Sequence, residues 1–127
     1  MRSIDTNILV RALTRDNPEQ AAAADEFVRD GAWVSLLVLA ETIWVLGSKP
    51  YRQDSRRLAS SIEMLIEHRD FTLESPDAVA SALALFRSGA SISFSDCLIL
   101  ELAKKSGHLP LGTFDRKLGR LPGTESL

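Results

Sequence analysis

Short apolar segments alternate with longer helical patterns along the 127-residue chain, and this alternation is the feature that most constrains its fold. Strand-like segments at positions 3–5, 32–35, 71–73 and 109–113 are each separated from the next by segments with apolar residues at helical spacing. Strands separated by helices need crossover connections, which favour parallel pairing. The sequence therefore predicts an α/β fold, namely a three-layer α/β/α sandwich. Its short, mostly parallel sheet would have four to five strands, the fifth lying at the edge near Glu125.

Length and composition set the outer bounds of the prediction. A chain of 127 residues suits one domain covering residues 1–127, and 45% hydrophobic with 25% charged residues is typical of a soluble globular protein. Cys97 is the only cysteine, which excludes an internal disulfide and fits a reducing, cytoplasmic compartment. We expect no signal peptide and no membrane contact. The net charge of −2 argues against a broad basic surface for nucleic acid.

The first ten residues, MRSIDTNILV, place an acid between a strand and a helix. The apolar run reaches Asp5, and the helical pattern begins directly afterwards. A strand that ends in an acid puts the carboxylate at the carboxyl edge of the sheet, where open α/β folds bind ligands. Helix capping is the simpler explanation of Asp5 alone, because Asp is a preferred N-cap residue.

A second acid, Glu41, interrupts the most apolar segment of the chain, LLVLAETIWVL. The positions one turn away from it, including Val38 and Trp44, are apolar. A helix that is apolar on every face is typically buried, and a buried carboxylate is costly unless it is paired. We therefore expect Glu41 to be buried and functional, with a structural ion pair to a distant arginine, or a backbone cap, as the alternative.

Two further acids stand where helices and strands begin or end. Asp96 lies early in a helix with Ile99 and Leu100 on the same side, which predicts an inward-pointing carboxylate, although Asp96 also suits the first turn of a helix on its own. Asp115 follows the last long strand, at a location equivalent to that of Asp5, where a turn-forming Asp is the simpler reading.

Taken together, the four acids predict a cation site. Carboxylates that are packed together repel one another unless a cation joins them. A cluster of oxygen donors selects a hard ion, which here means Mg²⁺ or Mn²⁺.

These residues also resemble a known family. Asp5-Thr6-Asn7, Glu41, Ser95-Asp96 and Thr113-Phe114-Asp115, in this order, resemble the signature of PIN-domain nucleases. The size and the start MRSIDTNILVRAL resemble VapC-type toxins of type II toxin–antitoxin pairs.

The resemblance implies a set of roles. Asp5, Glu41, Asp96 and Asp115 would be the catalytic acids, and Asp5, Asp96 and Asp115 would bind the metal. Glu41 would act directly or through water. The resemblance further implies an RNA substrate, often a structured tRNA or rRNA loop, products with a 5′-phosphate and a 3′-hydroxyl, a homodimer and an antitoxin that wraps the toxin. The supporting residues would be Thr6, Asn7, Ser95 and Thr113.

Basic residues follow two of the acids closely. Cations after Asp5 and Asp115 could grip the phosphates that flank a scissile bond, although ordinary solvated helix faces explain them equally well. The candidates for substrate binding are Arg11, Arg15, Arg87, Arg116 and Lys117.

The prediction that follows is a Mg²⁺-dependent endoribonuclease that uses a metal-activated water. Phosphoryl transfer on aspartate fits less well, because a dehalogenase-type phosphatase needs a second acid where Asn7 stands. A receiver domain needs paired acids after the first strand and a lysine after the last, and neither is clear. The remaining alternative is a non-catalytic PIN-like module that binds RNA or protein.

Overall fold

Six α-helices and five β-strands make up the protein in a computed structural model that describes residues 1–127. In chain order they are β1 (Arg2–Ser3), α1 (Thr6–Thr14), α2 (Pro18–Val28), β2 (Ala32–Val34), α3 (Leu36–Gly47), α4 (Ser55–Glu67), β3 (Phe71–Leu73), α5 (Pro76–Arg87), α6 (Phe94–Ser106), β4 (Leu111–Thr113) and β5 (Thr124–Ser126). A short 3₁₀ turn, Leu118–Arg120, lies between β4 and β5.

Side-chain caps start the first four helices. The caps are Asp5 for α1, Asn17 for α2, Ser35 for α3 and Asp54 for α4, and each accepts a hydrogen bond from a backbone N–H of the first turn. Asp, Asn and Ser are the residues that best satisfy these donors.

The chain divides into two compact units, the first covering Met1–Pro76 and the second Asp77–Leu127. In the first unit, β1, β2 and β3 form a parallel sheet in sequential order. Helices α1 and α2 connect β1 to β2, and helices α3 and α4 connect β2 to β3. The core of this unit consists of apolar side chains from β2, β3 and the four helices, among them Leu9, Val34, Leu39, Leu46, Ile62 and Leu65.

Helix α3 is not buried on every side, and this corrects the sequence prediction. Leu39, Ile43 and Leu46 are buried, whereas Leu37 is 79% and Trp44 69% exposed. Glu41, which shares the face of Leu37 and Trp44, is also exposed. Side chains at i, i+4 and i+7 occupy one face of a helix, and nothing in the chain covers this one. The prediction of a buried Glu41 is therefore wrong.

The second unit contains α5, α6 and a parallel pair of strands, β4 and β5. Leu111, Gly112 and Thr113 pair in register with residues 124–126. Its core includes Ala82, Leu83, Leu98, Leu100 and Leu118.

The α/β class and the parallel pairing of the strands are confirmed, as is the fifth strand near Glu125. The elements are consistent with a PIN-like three-layer sandwich. The hydrogen-bonded strands form one sheet of three and one of two, where the sequence predicted one continuous sheet. None of the six helices combines the length and the apolar character that a membrane span requires.

Candidate functional site

Asp5 caps α1 and keeps one carboxylate oxygen unused. Its Oδ1 accepts a hydrogen bond from the Ile8 N–H at 3.1 Å, and its side chain is exposed. The capping role considered from the sequence is therefore real. Capping uses only one oxygen of the Asp5 carboxylate, since Oδ2 accepts no hydrogen bond from the protein.

Thr6 and Glu41 are brought together by the contact between α1 and α3. The Thr6 hydroxyl donates a hydrogen bond to Glu41 Oε1. Glu41 is thereby held beside the residue that follows Asp5. The first unit thus joins three of the predicted site residues at the start of α1. Asn7 is exposed and makes no side-chain hydrogen bond.

Arg11 and Arg15, both predicted to bind substrate, are engaged inside the first unit. Arg11 Nη1 contacts Asp16 Oδ1 at 3.0 Å and the Tyr51 hydroxyl at 3.1 Å. Arg15 holds Asp25 through two hydrogen bonds of 3.1 and 2.7 Å. The Tyr51 hydroxyl lowers the pKa of Asp16, and the Arg15 guanidinium lowers the pKa of Asp25. These arginines are therefore paired with acids, and their contact with substrate stays a prediction.

In the second unit, the start of α6 positions Asp96. Ser93 caps the helix by accepting a hydrogen bond from the Asp96 N–H at 3.1 Å. The Asp96 side chain is half-buried, and its carboxylate makes no hydrogen bond within the protein. Ser95 is half-buried one residue earlier and makes no side-chain hydrogen bond either.

Asp115 is fixed by the turn that follows β4. Its N–H donates to Thr113 Oγ1 at 2.9 Å, and its Oδ1 accepts from the Leu118 N–H at 2.8 Å. Thr113 thus holds the backbone of Asp115 through a hydrogen bond, and its role as a supporting site residue stays a prediction. The turn-forming role of Asp115 is also confirmed, and its Oδ2 remains unused.

Asp96 and Asp115 line one open pocket of about 460 Å³ in the second unit. Arg116 and Lys117 line the same pocket, and neither is part of an ion pair. Arg87 ends α5 and is not among the lining residues. The other lining residues are Ser91, Ile92 and Ser93. Two acids therefore stand beside two cations that have no acidic partner, an arrangement suited to a phosphate ester together with a cation.

Cys97, next to Asp96, takes no part in this chemistry. Its side chain is fully buried, and burial raises the pKa of its thiol to about 11. A thiol with so high a pKa is protonated at neutral pH, so Cys97 is a small apolar core residue.

No three His, Cys, Asp or Glu side chains form a group that could hold a metal ion. Of the four predicted acids, Asp5 and Glu41 lie in the first unit and Asp96 and Asp115 in the second. Asp5 and Asp115 retain a free oxygen, and the Asp96 carboxylate is wholly unengaged. Carboxylate oxygens are the ligands preferred by Mg²⁺ and Mn²⁺.

Residues 3–123 match the family model of the PIN domain, and the chain therefore belongs to the PIN domain family. The match includes all four acids and spans both units. No curated protein and no solved structure matches the chain. PIN domains are usually metal-dependent nucleases, so family membership indicates a nuclease that uses divalent metal ions.

Glu74 is a positioning residue that the sequence analysis missed. It follows β3, and its Oε1 accepts a hydrogen bond from the Leu36 N–H at 2.8 Å. Together with Ser35, which caps Val38 N–H, it satisfies two donors at the start of α3, the helix that carries Glu41. An acid directly after a strand was the available signal, the same one that pointed to Asp5.

Proposed function

We propose that the protein is a Mg²⁺-dependent endoribonuclease whose chemistry depends on Asp5, Glu41, Asp96 and Asp115. The observation that carries this proposal is the PIN family match over residues 3–123, because it contains all four acids in order. We further propose that the two units act as one PIN domain, since one family model covers both.

Three acids would hold the metal, namely Asp5, Asp96 and Asp115, and Mn²⁺ could replace Mg²⁺. When bound, the ion would lower the pKa of the attacking water and offset the charge that develops on the phosphate. Thr6 orients Glu41 through its hydroxyl, which leaves Oε2 of Glu41 to accept a proton or order a water. Thr113 and the Leu118 N–H hold Asp115 in place.

Arg116 and Lys117 would bind the phosphates beside the cleaved bond. Both line the pocket of Asp96 and Asp115, and neither has an acidic partner to displace. Arg11 and Arg15 would first have to release Asp16 and Asp25. We therefore expect Arg116 and Lys117 to contribute more to RNA binding than the two arginines of the first unit.

The finer biological role that we propose is that of a cytoplasmic toxin of a toxin–antitoxin pair, acting as a homodimer on structured tRNA or rRNA. Support comes from the VapC-like N-terminal sequence and from the uncovered apolar face of α3. Exposed apolar patches commonly mark protein–protein contacts. An antitoxin or a second copy would cover such a face.

Cleavage of RNA by the purified protein tests the enzymatic proposal. We expect cleavage with Mg²⁺ or Mn²⁺ and none after chelation. Asp5→Asn and Asp96→Asn should each lower the rate about 100-fold or more, as typically follows from loss of transition-state charge stabilisation. Asp30→Asn, which changes an exposed acid with no side-chain contact, is the matched control.

Products with 5′-phosphate ends are expected. RNA binding without cleavage, unaffected by either metal, would instead support the non-catalytic PIN-like module and contradict the nuclease.

A further inference from the structure

Phe114 is the most exposed of the large hydrophobic side chains, at 84%. It lies between Thr113, which supports Asp115, and Asp115 itself. Its ring makes no contact with another aromatic ring or with a cation. A single exposed apolar residue is ordinary on a protein surface. Whether Phe114 has a functional role therefore depends on the residues around it.

Hydrogen bonds made by the residues before and after Phe114 hold the turn that carries it. Asp115 N–H binds Thr113 Oγ1, and Asp115 Oδ1 binds the Leu118 N–H, at 2.9 and 2.8 Å. The Gly119 N–H also donates to the Asp115 carbonyl oxygen at 2.9 Å. These bonds fix the backbone around Phe114, so the ring is presented to solvent on an ordered turn and little backbone conformational entropy remains to be lost on binding.

The same turn carries charges of the kind that bind a nucleic-acid backbone. Arg116 and Lys117 follow within three residues and line the pocket of Asp96 and Asp115. Phe114 itself does not line this pocket, but it lies next to Asp115 in the chain. An exposed aromatic ring on the same turn as unpaired cations is a combination that proteins use for single-stranded nucleic acids, where bases stack on the ring and cations follow the phosphates. Bases within a duplex are stacked on their neighbours and cannot use such a ring.

We propose that Phe114 stacks on an unpaired base of the RNA next to the pocket of Asp96 and Asp115. This inference rests on the proposed ribonuclease function and assigns to Phe114 the contact with an unpaired base of the substrate. Phe114 is in this account a positioning residue for the substrate, and it takes no part in the bond-breaking step.

Binding of a fluorescently labelled, short single-stranded oligoribonucleotide tests the proposal, with the same strand annealed to its complement for comparison. The measurement is made with a chelator, so that no cleavage interferes. Phe114→Leu keeps an apolar side chain but removes the aromatic face. We expect it to weaken single-strand binding about 5- to 100-fold, the usual effect of losing one base–aromatic stack, with little change for the duplex.

Two variants complete the test. Phe114→Trp should retain single-strand binding, and its indole fluorescence should be quenched by the oligonucleotide, beyond any change seen in the wild type with Trp33 and Trp44. Leu109→Ala removes another exposed apolar side chain of the second unit, one that does not line the pocket, and should bind as the wild type does.

Equal affinities of the wild type and Phe114→Leu for the single strand would overturn the proposal. Contact with a protein would then be the remaining role for this exposed ring. Failure of the wild type to bind the single strand would overturn it as well. The outcome is separable from that of the nuclease assay. Phe114-dependent binding by a protein that never cleaves RNA would refute only the nuclease, whereas cleavage unchanged in Phe114→Leu would refute only the stacking.

Discussion

A single buried hydroxyl, that of Thr42, has no hydrogen-bond partner in the protein. Thr42 is fully buried on α3, directly after Glu41, and its Oγ1 accepts and donates nothing. An unsatisfied buried polar group costs roughly 1–3 kcal/mol. Two neighbouring residues of α3 therefore differ. The exposed carboxylate of Glu41 accepts a hydrogen bond, whereas the buried hydroxyl of Thr42 makes none.

Thr42→Val should stabilise the protein. Valine has nearly the same shape and removes the unsatisfied hydroxyl, so we expect the free energy of unfolding in urea to rise by about 1 kcal/mol. Thr14→Val is the opposing control, because the Thr14 hydroxyl donates to Val10 O and contacts Asp16, both at 2.8 Å. A clear loss of stability in Thr42→Val would show that its hydroxyl is hydrogen-bonded in solution.

At the residue scale, contacts within one segment could be predicted, whereas contacts between distant segments could not, and the catalytic and metal-binding roles of the four acids stay predictions. The positions of Asp5 and Asp115 after strands followed from local pattern, and the capping role of Asp5 and the turn-forming role of Asp115 could be predicted as well. The exposure of Glu41 could not, because burial of a helix face depends on which distant elements cover it. The ion pair between Arg15 and Asp25 could not be predicted either, since it depends on how two successive helices pack.

Hydrogen bonds at the ends of the helices help to hold them in position, and α3 is the clearest case. Glu74 and Ser35 satisfy two N–H donors at its start, and Glu74 comes from the far end of β3. A local cap could be predicted from Ser35, whereas a cap contributed from 38 residues away could not. Capping residues, Pro and Gly mark the ends of helices locally.

Glu74→Ala should lower the free energy of unfolding by about 0.5–2 kcal/mol, the usual cost of losing a helix cap. Glu74→Gln retains an oxygen acceptor and should lose less. Both are measured by urea denaturation against Glu67→Ala, which changes an exposed acid with no side-chain hydrogen bond. Equal stability of Glu74→Ala and Glu67→Ala would contradict the role of Glu74 in holding α3.

For the whole molecule, the uncovered face of α3 is the feature most relevant to assembly. Leu37 and Trp44 expose large apolar areas that a second copy would remove from water. If the protein is a homodimer through this face, Leu37→Ser and Trp44→Ser should shift it to a monomer in size-exclusion chromatography with light scattering. Met64→Ser, at a partly exposed position on α4, should leave the dimer intact. A monomeric wild type would contradict the proposed dimer.

The arrangement of strands was predicted only in part. Parallel pairing follows from the alternation of strands and helices, because such connections cross over. The separation into a sheet of β1, β2 and β3 and a pair of β4 and β5 depends on which strands hydrogen-bond across long sequence distances. Strands of two or three residues carry too little sequence to specify that choice.

The central claim, that the PIN family acids of this chain cut RNA, is tested most directly by mapping RNA ends in cells after brief induction. Wild-type protein is compared with Asp96→Asn, which preserves the Ser93 cap because the bonded group is the backbone N–H. We predict new 5′-phosphate ends at a few defined sites with the wild type, absent with the variant. Identical end profiles from wild type and Asp96→Asn would contradict the account.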